Sequence, residues 1–125
     1  MSALREPEIA RLLSRAETAR RLGCAPGALA LSRERAFAFL REAPAGAELV
    51  QGAIDRCVVA RSSGRGLVVD FKSDAVDSGD CVARAEAYRP QLELYRDALA
   101  RLDGLERERI ALCVCFLAAG RAVEL

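Results

Sequence analysis

Apolar positions near the start of the chain recur every three to four residues, which is the spacing of one face of a helix. The apolar side chains of this stripe are Ile9, Leu12, Leu13 and Ala16. Pro7 suits the first turn of a helix, and Gly23 suits its end, because glycine readily adopts the left-handed backbone that terminates many helices. The pattern therefore predicts one surface helix between Pro7 and Gly23, with one buried stripe.

The pattern then changes to that of strands. Phe37 and Phe39 alternate with small residues, and the proline and glycine of residues 44–46 supply a turn. The next segment is rich in Val, Ile and Cys, and a flexible link at 62–66 leads from it into another apolar run. We therefore predict a meander of three strands. Its strands are expected at residues 29–40, 48–60 and 67–72.

A helix and a final strand follow an acidic loop at residues 74–80. Pro90 opens the helix and Gly104 closes it. Its predicted apolar face consists of Leu92, Tyr95, Ala98, Leu99 and Leu102. Its predicted solvent-exposed face carries Arg89, Glu93, Arg96 and Asp97. The apolar run 110–117 is typical of a strand buried on both faces, and residues 121–125 would add a short edge.

These elements predict an α/β fold around a mixed central sheet, in the order helix, three-strand meander, helix, strand. The strand–helix–strand connection implies a right-handed crossover into a parallel pair. With 125 residues, 52% of them hydrophobic and 30% charged, the chain has the composition of one globular domain. We expect a helical lead-in at residues 1–28 and a core at 29–125.

Composition also limits the partners and the chemistry. No apolar run reaches the 18 residues that a membrane span needs, so we expect a cytoplasmic protein without membrane contact. The net charge of +1 means that any contact with nucleic acid must come from a local patch. Histidine is absent, which excludes Ser-His and Cys-His catalysis within this chain. The five scattered cysteines lack a Cys-x-x-Cys pair, so neither zinc nor an iron-sulfur cluster is expected.

One strand end combines an acid with a unique lysine. Lys72 is the only lysine among 19 basic residues, and Asp70 stands two positions before it, at the end of an apolar run. Because side chains alternate along a strand, Asp70 and Lys72 share one face while Phe71 points to the other. Unlike a guanidinium, an ammonium group is compact and has a pKa that can be tuned, which suits a catalytic role.

A second carboxylate is predicted to join this pair. Asp55 ends the segment 52–55 on the preceding strand, and the hairpin should bring it close to Asp70. Two hard oxygen ligands at one end of a sheet are a usual way of holding Mg²⁺. Such an ion beside Lys72 predicts phosphodiester hydrolysis, with Gly52 permitting close backbone approach. Alternatively, both acids are ordinary strand-end carboxylates in ion pairs with neighbouring bases.

Two polar residues of the second predicted helix support the same site. Gln91 and Tyr95 are four residues apart within the apolar stripe of that helix, so both should face inward. If the helix packs beside the third strand, the amide and the hydroxyl could contact the acids or a phosphate. The alternative is that both are core polar groups whose hydrogen bonds are satisfied locally.

Three short segments together resemble a known family. They are Gly52-x-Ile54-Asp55, then Asp70-Phe71-Lys72-Ser73-Asp74, then Tyr88-x-x-Gln91-Leu92-x-Leu94-Tyr95. In order and spacing they resemble the PD-(D/E)xK nuclease domain of the RecB and AddA helicase-nucleases, over residues 30–125. Glu34 ahead of Phe37 resembles the acidic strand that precedes the first segment in the AddA branch.

The resemblance implies a restriction-endonuclease-like core and a role for each matched residue. It implies that Asp55 and Asp70 are metal ligands together with the Phe71 carbonyl, and that Lys72 is the catalytic lysine. It implies site-lining roles for Gln91, Tyr95, Ser73 and Glu34. The implied cofactor is Mg²⁺, which Mn²⁺ can replace, and the implied reaction is metal-dependent cleavage of DNA, of the exodeoxyribonuclease type.

Two features depart from the family pattern. Relatives carry a histidine or glutamate on an upstream helix that completes the metal site, whereas this chain has no histidine. Glu17 on the first helix is a candidate substitute, in surroundings that do not resemble that motif. No Gly-x-x-x-x-Gly-Lys-Ser/Thr loop is present, so no ATPase motor is expected here. We therefore expect a C-terminal part of a larger helicase-nuclease, with 29–125 as its nuclease core, weakly active or inactive alone.

Three functions are compatible with these observations. The first is a nuclease that acts on single-stranded DNA in double-strand break repair and recombination, whose partners are a helicase domain of the same chain and a second protein of the nuclease/helicase complex. The second is a catalytically incomplete module that binds DNA or partner subunits without cutting, which the 18 arginines also favour. The third is a generic α/β domain with an accidental motif, in which Asp55 and Asp70 would lie on opposite faces of the sheet.

Overall fold

A computed structural model describes residues 7–125, and the first six residues of the predicted lead-in lie outside the described part. Within that part, four α-helices and five strands follow one another in the order ααβββααββ. The helices are α1 (Pro7–Leu13), α2 (Arg15–Leu22), α3 (Cys81–Ala87) and α4 (Arg89–Asp103). The strands are β1 (Leu29–Ala43), β2 (Gly46–Ala60), β3 (Arg65–Lys72), β4 (Ile110–Phe116) and β5 (Arg121–Glu124).

The five strands form one mixed sheet in the order β1-β2-β3-β4-β5. Strands β1, β2 and β3 are an antiparallel meander, β4 runs parallel to β3, and β5 closes the edge antiparallel to β4. The parallel pair requires a crossover, which α3 and α4 provide between β3 and β4. The predicted α/β fold with a mixed central sheet is thereby confirmed.

Helices cover both faces of the sheet, because β3 and β4 are apolar on both sides. On one face, Leu92 and Leu99 of α4 pack with Val68 and Val114, all four essentially without solvent exposure. On the other face, α1 and α2 pack against alternate residues of the same strands. The buried residues of that second cluster include Ile9, Leu12, Leu22, Leu67, Val69, Cys113 and Cys115. Asp70 and Lys72 therefore lie on the α4 side of the sheet and Phe71 on the α1 side.

Strands β1 and β2 form a ribbon that extends beyond the rest of the sheet. They pair from end to end, but β2 pairs with β3 only over its last five residues, from Arg56 to Ala60. Phe37 covers Gly52, its partner across the ribbon, where a Cβ atom would come within 3.0 Å of the ring. The expectation that Gly52 admits close backbone approach is corrected, because the group that needs the space is the aromatic ring.

The predicted first helix is two helices. Ser14 interrupts it, and the Ser14 hydroxyl accepts a hydrogen bond from the Glu17 amide and so caps α2. The interruption changes the helical phase, so Ala16 is exposed and Thr18 is buried instead. The predicted end at Gly23 is correct, since Gly23 has a left-handed φ of 68° and caps α2.

The second helical region also departs from the prediction. The acidic loop ends in α3, a seven-residue helix that was not predicted because its buried residues, Cys81 and Ala85, are too few and too small to give a clear stripe. In α4, Leu102 was expected on the buried face but is 42% exposed. The side chain of the next residue, Asp103, is covered instead, and its carboxylate accepts two hydrogen bonds from Arg35 of β1. None of the described helices has the length and apolar character needed to cross a bilayer.

Candidate active site

The site lies where β2 and β3 separate. Their ladder ends at the pair Arg56 and Val69, so the next two residues, Asp55 and Asp70, are neighbours without a backbone bridge between them. The Phe71 amide instead donates a hydrogen bond of 2.9 Å to the Asp55 Oδ2 atom. The predicted approach of the two carboxylates therefore occurs, and it occurs because a side chain replaces the missing backbone partner.

Asp70 is the most constrained acid of the site. It is only 2% exposed, and Lys72 Nζ lies 2.9 Å from its Oδ2 atom. The ion pair lacks hydrogen-bond geometry, so the buried Oδ2 atom has no hydrogen-bond partner within residues 7–125. Burial raises the pKa of Asp70 to about 6, because the opposing effect of Lys72 is smaller and the nearby Asp55 carboxylate adds to the rise. Such perturbed acids are frequent at functional sites.

Helix α4 holds Lys72 from the other side. Lys72 Nζ donates a hydrogen bond of 2.9 Å to Gln91 Oε1, and Gln91 Nε2 donates one of 2.8 Å to the Tyr95 hydroxyl. Burial lowers the pKa of Lys72, but the contact with Asp70 outweighs it and the net direction is upward. The lysine is thus held as a cation in one position by Asp70, Gln91 and the Tyr88 ring, whose centroid is 4.2 Å from Nζ.

Tyr88 and Asp74 have no role assigned to them from the sequence, although both stand in segments that carry the family resemblance. The Tyr88 hydroxyl donates a hydrogen bond of 2.6 Å to Asp74 Oδ2, which also accepts one of 3.0 Å from Arg84. This hydrogen bond fixes the ring that packs under the Lys72 ammonium group. A signal was available, because Tyr88 precedes Gln91 by three residues and therefore lies on the same side of the chain at the start of α4.

The other predicted site residues lie at the edge of the site. The pairs Arg33–Arg56 and Arg35–Ile54 on either side place Glu34 opposite Asp55 on the neighbouring strand. Glu34 is exposed and has a φ of 48°, a left-handed conformation that is rare for a non-glycine residue. Ser73 is exposed directly after Lys72. Glu17, the candidate for the missing upstream ligand, forms an ion pair with Arg20 on its own helix.

The donor set of the site fits a hard divalent cation. Two carboxylates and a backbone carbonyl at Phe71 are oxygen ligands of the kind that Mg²⁺ and Mn²⁺ prefer, and zinc would favour nitrogen and sulfur. The buried Asp70 Oδ2 atom has the Lys72 ammonium group as its polar contact within residues 7–125, so it keeps capacity for a cation, which supports this fit. Residues 7–125 contain no group of three or more Asp, Glu, Cys or His side chains that could hold a metal ion, so ligands from outside these side chains would have to complete the coordination.

A basic cleft adjoins the site on the α1 side of the sheet. It has a volume of about 490 Å³, and Asp55 and Phe71 are among the residues that line it. Arg33 and Arg56 line it together with the apolar side chains of Leu13 and Leu117. Burial lowers the pKa of Arg56, and the adjacent charge of Arg33 lowers it further.

A mixed sheet with an Asp-x-Lys strand end beside a second aspartate is the arrangement that the resemblance to nucleases predicts. The sequence matches the model of the PD-(D/E)XK nuclease superfamily over residues 3–124, so the chain belongs to that superfamily. A stretch of 58 residues is 43% identical to the A subunit of the ATP-dependent helicase/nuclease from Alkaliphilus oremlandii (strain OhILAs). That stretch is 46% of this chain and 5% of the relative, so the chain spans a small part of that protein's length. The family assignment is confirmed, and the interpretation as an accidental motif is wrong.

Proposed function

We propose that this domain hydrolyses phosphodiester bonds of single-stranded DNA with Mg²⁺ as cofactor, as the nuclease part of an ATP-dependent helicase-nuclease. The observation that carries the proposal is the buried Asp70, placed between Asp55 and the immobilised Lys72. The name of the relative supports the setting, in which a helicase domain of the same chain and a second subunit deliver the strand. Double-strand break repair and recombination in the cytoplasm, with exonucleolytic cutting, are the functions we assign to that assembly.

Each residue of the site has a role in this proposal. In hydrolysis, water forms a new bond to phosphorus, the bond to the leaving sugar oxygen breaks, and that oxygen takes up a proton. Lys72 stabilises the negative charge that develops on the phosphoryl oxygens, because its ammonium group is held in place before the substrate arrives. Gln91 and Tyr88 fix the position of that ammonium group, and Tyr95 fixes Gln91.

The metal would be held by Asp55, Asp70 and the Phe71 carbonyl. When bound, it would supply Lewis-acid polarisation of the phosphodiester and neutralise its charge. The Phe71 amide orients Asp55 through its hydrogen bond to Oδ2. The other oxygen of Asp55 therefore stays available for the cation. Asp70 contributes a buried carboxylate, whose poorly solvated negative charge a bound cation would stabilise.

Cleavage of a labelled single-stranded oligonucleotide with Mg²⁺ or Mn²⁺ tests the proposal. Lys72→Ala and Asp70→Asn should each lower the rate at least about a hundredfold, the scale measured for loss of a group that stabilises the transition state. Lys72→Arg should not restore activity, since a planar guanidinium cannot take the place of a compact ammonium group between Asp70 and Gln91. The control is Asp77→Asn, which changes an exposed carboxylate of the loop before α3. Equal cleavage by all four variants would refute the proposal.

A second candidate function follows from the incomplete ligand set. Because the described residues provide only two carboxylates and no third protein side chain, the domain could bind DNA or partner subunits without cutting. Calorimetry with Mg²⁺ and Mn²⁺ separates the two functions. Heat of binding that disappears in Asp70→Asn favours the nuclease, whereas absent metal binding together with salt-sensitive DNA binding favours the binding module.

A further inference from the structure

Two arginines of the basic cleft face each other without a counter-ion. Arg33 on β1 and Arg56 on β2 are direct partners in the ribbon, a position where like charges destabilise a sheet. Most other arginines of the described part form an ion pair with a carboxylate, but neither of these two does within residues 7–125. The fold therefore places two uncompensated positive charges side by side.

At Arg56 the absence of a counter-ion is especially unfavourable, because the side chain is buried. The residue is 8% exposed, and the hydrogen bond that it makes within the described residues runs from Nη2 to the Leu13 carbonyl oxygen, over 3.0 Å. Removing a guanidinium from water is unfavourable unless hydrogen bonds and an opposite charge compensate it. The Leu13 carbonyl occupies one of the five N–H donors of the Arg56 guanidinium, so most of the capacity of Arg56 to bind an anion stays available.

The position and lining of the cleft determine what kind of anion can bind these arginines. Asp55 and Phe71 line the same cleft of about 490 Å³, so an anion bound by Arg33 and Arg56 sits next to the candidate metal site. The remaining walls, Leu13 and Leu117, are apolar and suit a sugar or the face of a base. A chain of phosphates joined by partly apolar groups fits such a cleft better than an isolated small anion.

We propose that Arg33 and Arg56 form a phosphate-binding subsite for the DNA backbone, adjacent to the phosphodiester that is cut between Asp55, Asp70 and Lys72. The inference rests on the proposed function in that it takes DNA to be the strand that enters the cleft. Guanidinium groups bind phosphate oxygens through two parallel hydrogen bonds, and two of them on neighbouring strands can hold one phosphate from two sides. The subsite lies on the α1 side of the sheet, so the bound strand passes around the end of β3.

Binding of a fluorescent single-stranded oligonucleotide in EDTA, followed by anisotropy over a series of KCl concentrations, tests the subsite without any need for cleavage. Arg33→Gln should weaken binding roughly tenfold, the expected loss for one charge-assisted contact. It should also reduce the slope of log Kd against log[KCl] by about 0.7, the value for one phosphate contact on a single strand. Arg33 is exposed, so this variant does not depend on repacking of a core.

Arg56 requires two variants because it also bonds to the end of α1. Arg56→Gln should lower both the affinity and the salt slope, whereas Arg56→Lys should keep the slope, since the charge is retained. A purely structural role would lower the melting temperature in both variants and leave the slope unchanged. The matched control is Arg65→Gln, at the opposite end of β3, which removes an exposed strand arginine that forms no ion pair with the described residues. Its affinity should stay within about twofold of the parental value.

The outcomes separate the subsite from the nuclease proposal. If Arg33→Gln binds the oligonucleotide with parental affinity and parental salt slope, the subsite is overturned, whatever the cleavage assay shows. If Arg33→Gln loses affinity and slope while the domain cleaves nothing with Mg²⁺ or Mn²⁺ even within its proposed helicase-nuclease, the subsite stands and the nuclease proposal fails. Loss of both binding and cleavage in Arg33→Gln, with Arg65→Gln unaffected, supports both.

Discussion

Replacing Asp70 with asparagine should stabilise the protein at pH 8 in EDTA, although the same change should abolish cleavage. The pKa of Asp70 rises from 3.8 to about 6 on folding, mainly because the carboxylate is buried. The folded state therefore resists ionisation of this group, and at neutral pH the ionised carboxylate lowers the free energy of unfolding. Asparagine has nearly the same shape and no charge, so the substitution removes that cost.

The magnitude follows from the pKa. One pKa unit corresponds to about 1.4 kcal/mol, so a rise of this size costs at most about 3 kcal/mol at pH 8. The attraction to Lys72 is already contained in this pKa, but the partly exposed Asp55 admits water to the site and reduces the cost of burial, so we expect a net gain of about 1–2 kcal/mol. For a domain of this size, the melting temperature should rise by about 3–8 °C.

The pH dependence gives the effect a distinct shape. Well below pH 3.8, Asp70 is protonated in both the folded and the unfolded state, so the variant should have no advantage there and only a small one at pH 4. Between pH 4 and pH 6, the folded state binds more protons than the unfolded state, and the stability of the parental chain falls as the pH rises. Above pH 6 the difference between the two proteins should be constant.

Thermal and urea denaturation of both proteins at pH 4 and pH 8 measure the effect. Addition of Mg²⁺ at about 100 times its Kd should stabilise the parental chain by about 2.7 kcal/mol and the variant much less, which reverses their order. Asp77→Asn, at an exposed position, should stay within about 0.5 kcal/mol of the parental chain. If Asp70→Asn is less stable than the parental chain at pH 8 in EDTA, the ion pair with Lys72 outweighs burial and the reasoning is refuted.

Three further predictions concern the framework of the site. Gly52→Ala should lower the free energy of unfolding by about 1–3 kcal/mol in urea denaturation, because the new Cβ atom would lie 3.0 Å from the Phe37 ring; an unchanged midpoint would show that the ring moves freely. Glu34→Gly should raise the melting temperature, since glycine relieves a left-handed backbone that costs about 1 kcal/mol, and a lower melting temperature would mean that the Glu34 side chain contributes more than the strain. Leu99→Ala should cost about 2–5 kcal/mol and Leu102→Ala less than about 0.5, and equal losses in the two variants would contradict the burial of α4.

The meander and α4 could be predicted because their sequence patterns reflect burial directly. The apolar runs at 67–69 and 110–116 allow only strands covered on both faces, and Pro90 and Gly104 mark the ends of one long helix. The proximity of Asp55 and Asp70 could be predicted from the hairpin between β2 and β3, since register carries a residue of one strand to a fixed place on the next.

Other features depend on contacts that the local sequence does not contain. Leu102 is exposed against expectation while the Asp103 side chain is covered, because Arg35, far away on β1, reaches the Asp103 carboxylate. Burial of Arg56 depends on the docking of α1, which supplies the Leu13 carbonyl. The left-handed backbone at Glu34 has no signal in its neighbours, because a non-glycine residue in that conformation is held there by the surrounding structure.

The hydrogen bond from the Phe71 amide to Asp55 makes one backbone hydrogen a natural reporter of the site. In most of a sheet an amide responds to a neighbouring carbonyl, which changes little on ligand binding, but this amide responds to a carboxylate that is itself a candidate ligand. The chemical shift of the Phe71 amide and its rate of exchange with deuterium should therefore follow the charge and orientation of Asp55. Titration of a ¹⁵N-labelled sample with Mg²⁺ would follow the site from its interior, with neither a substrate nor an engineered label.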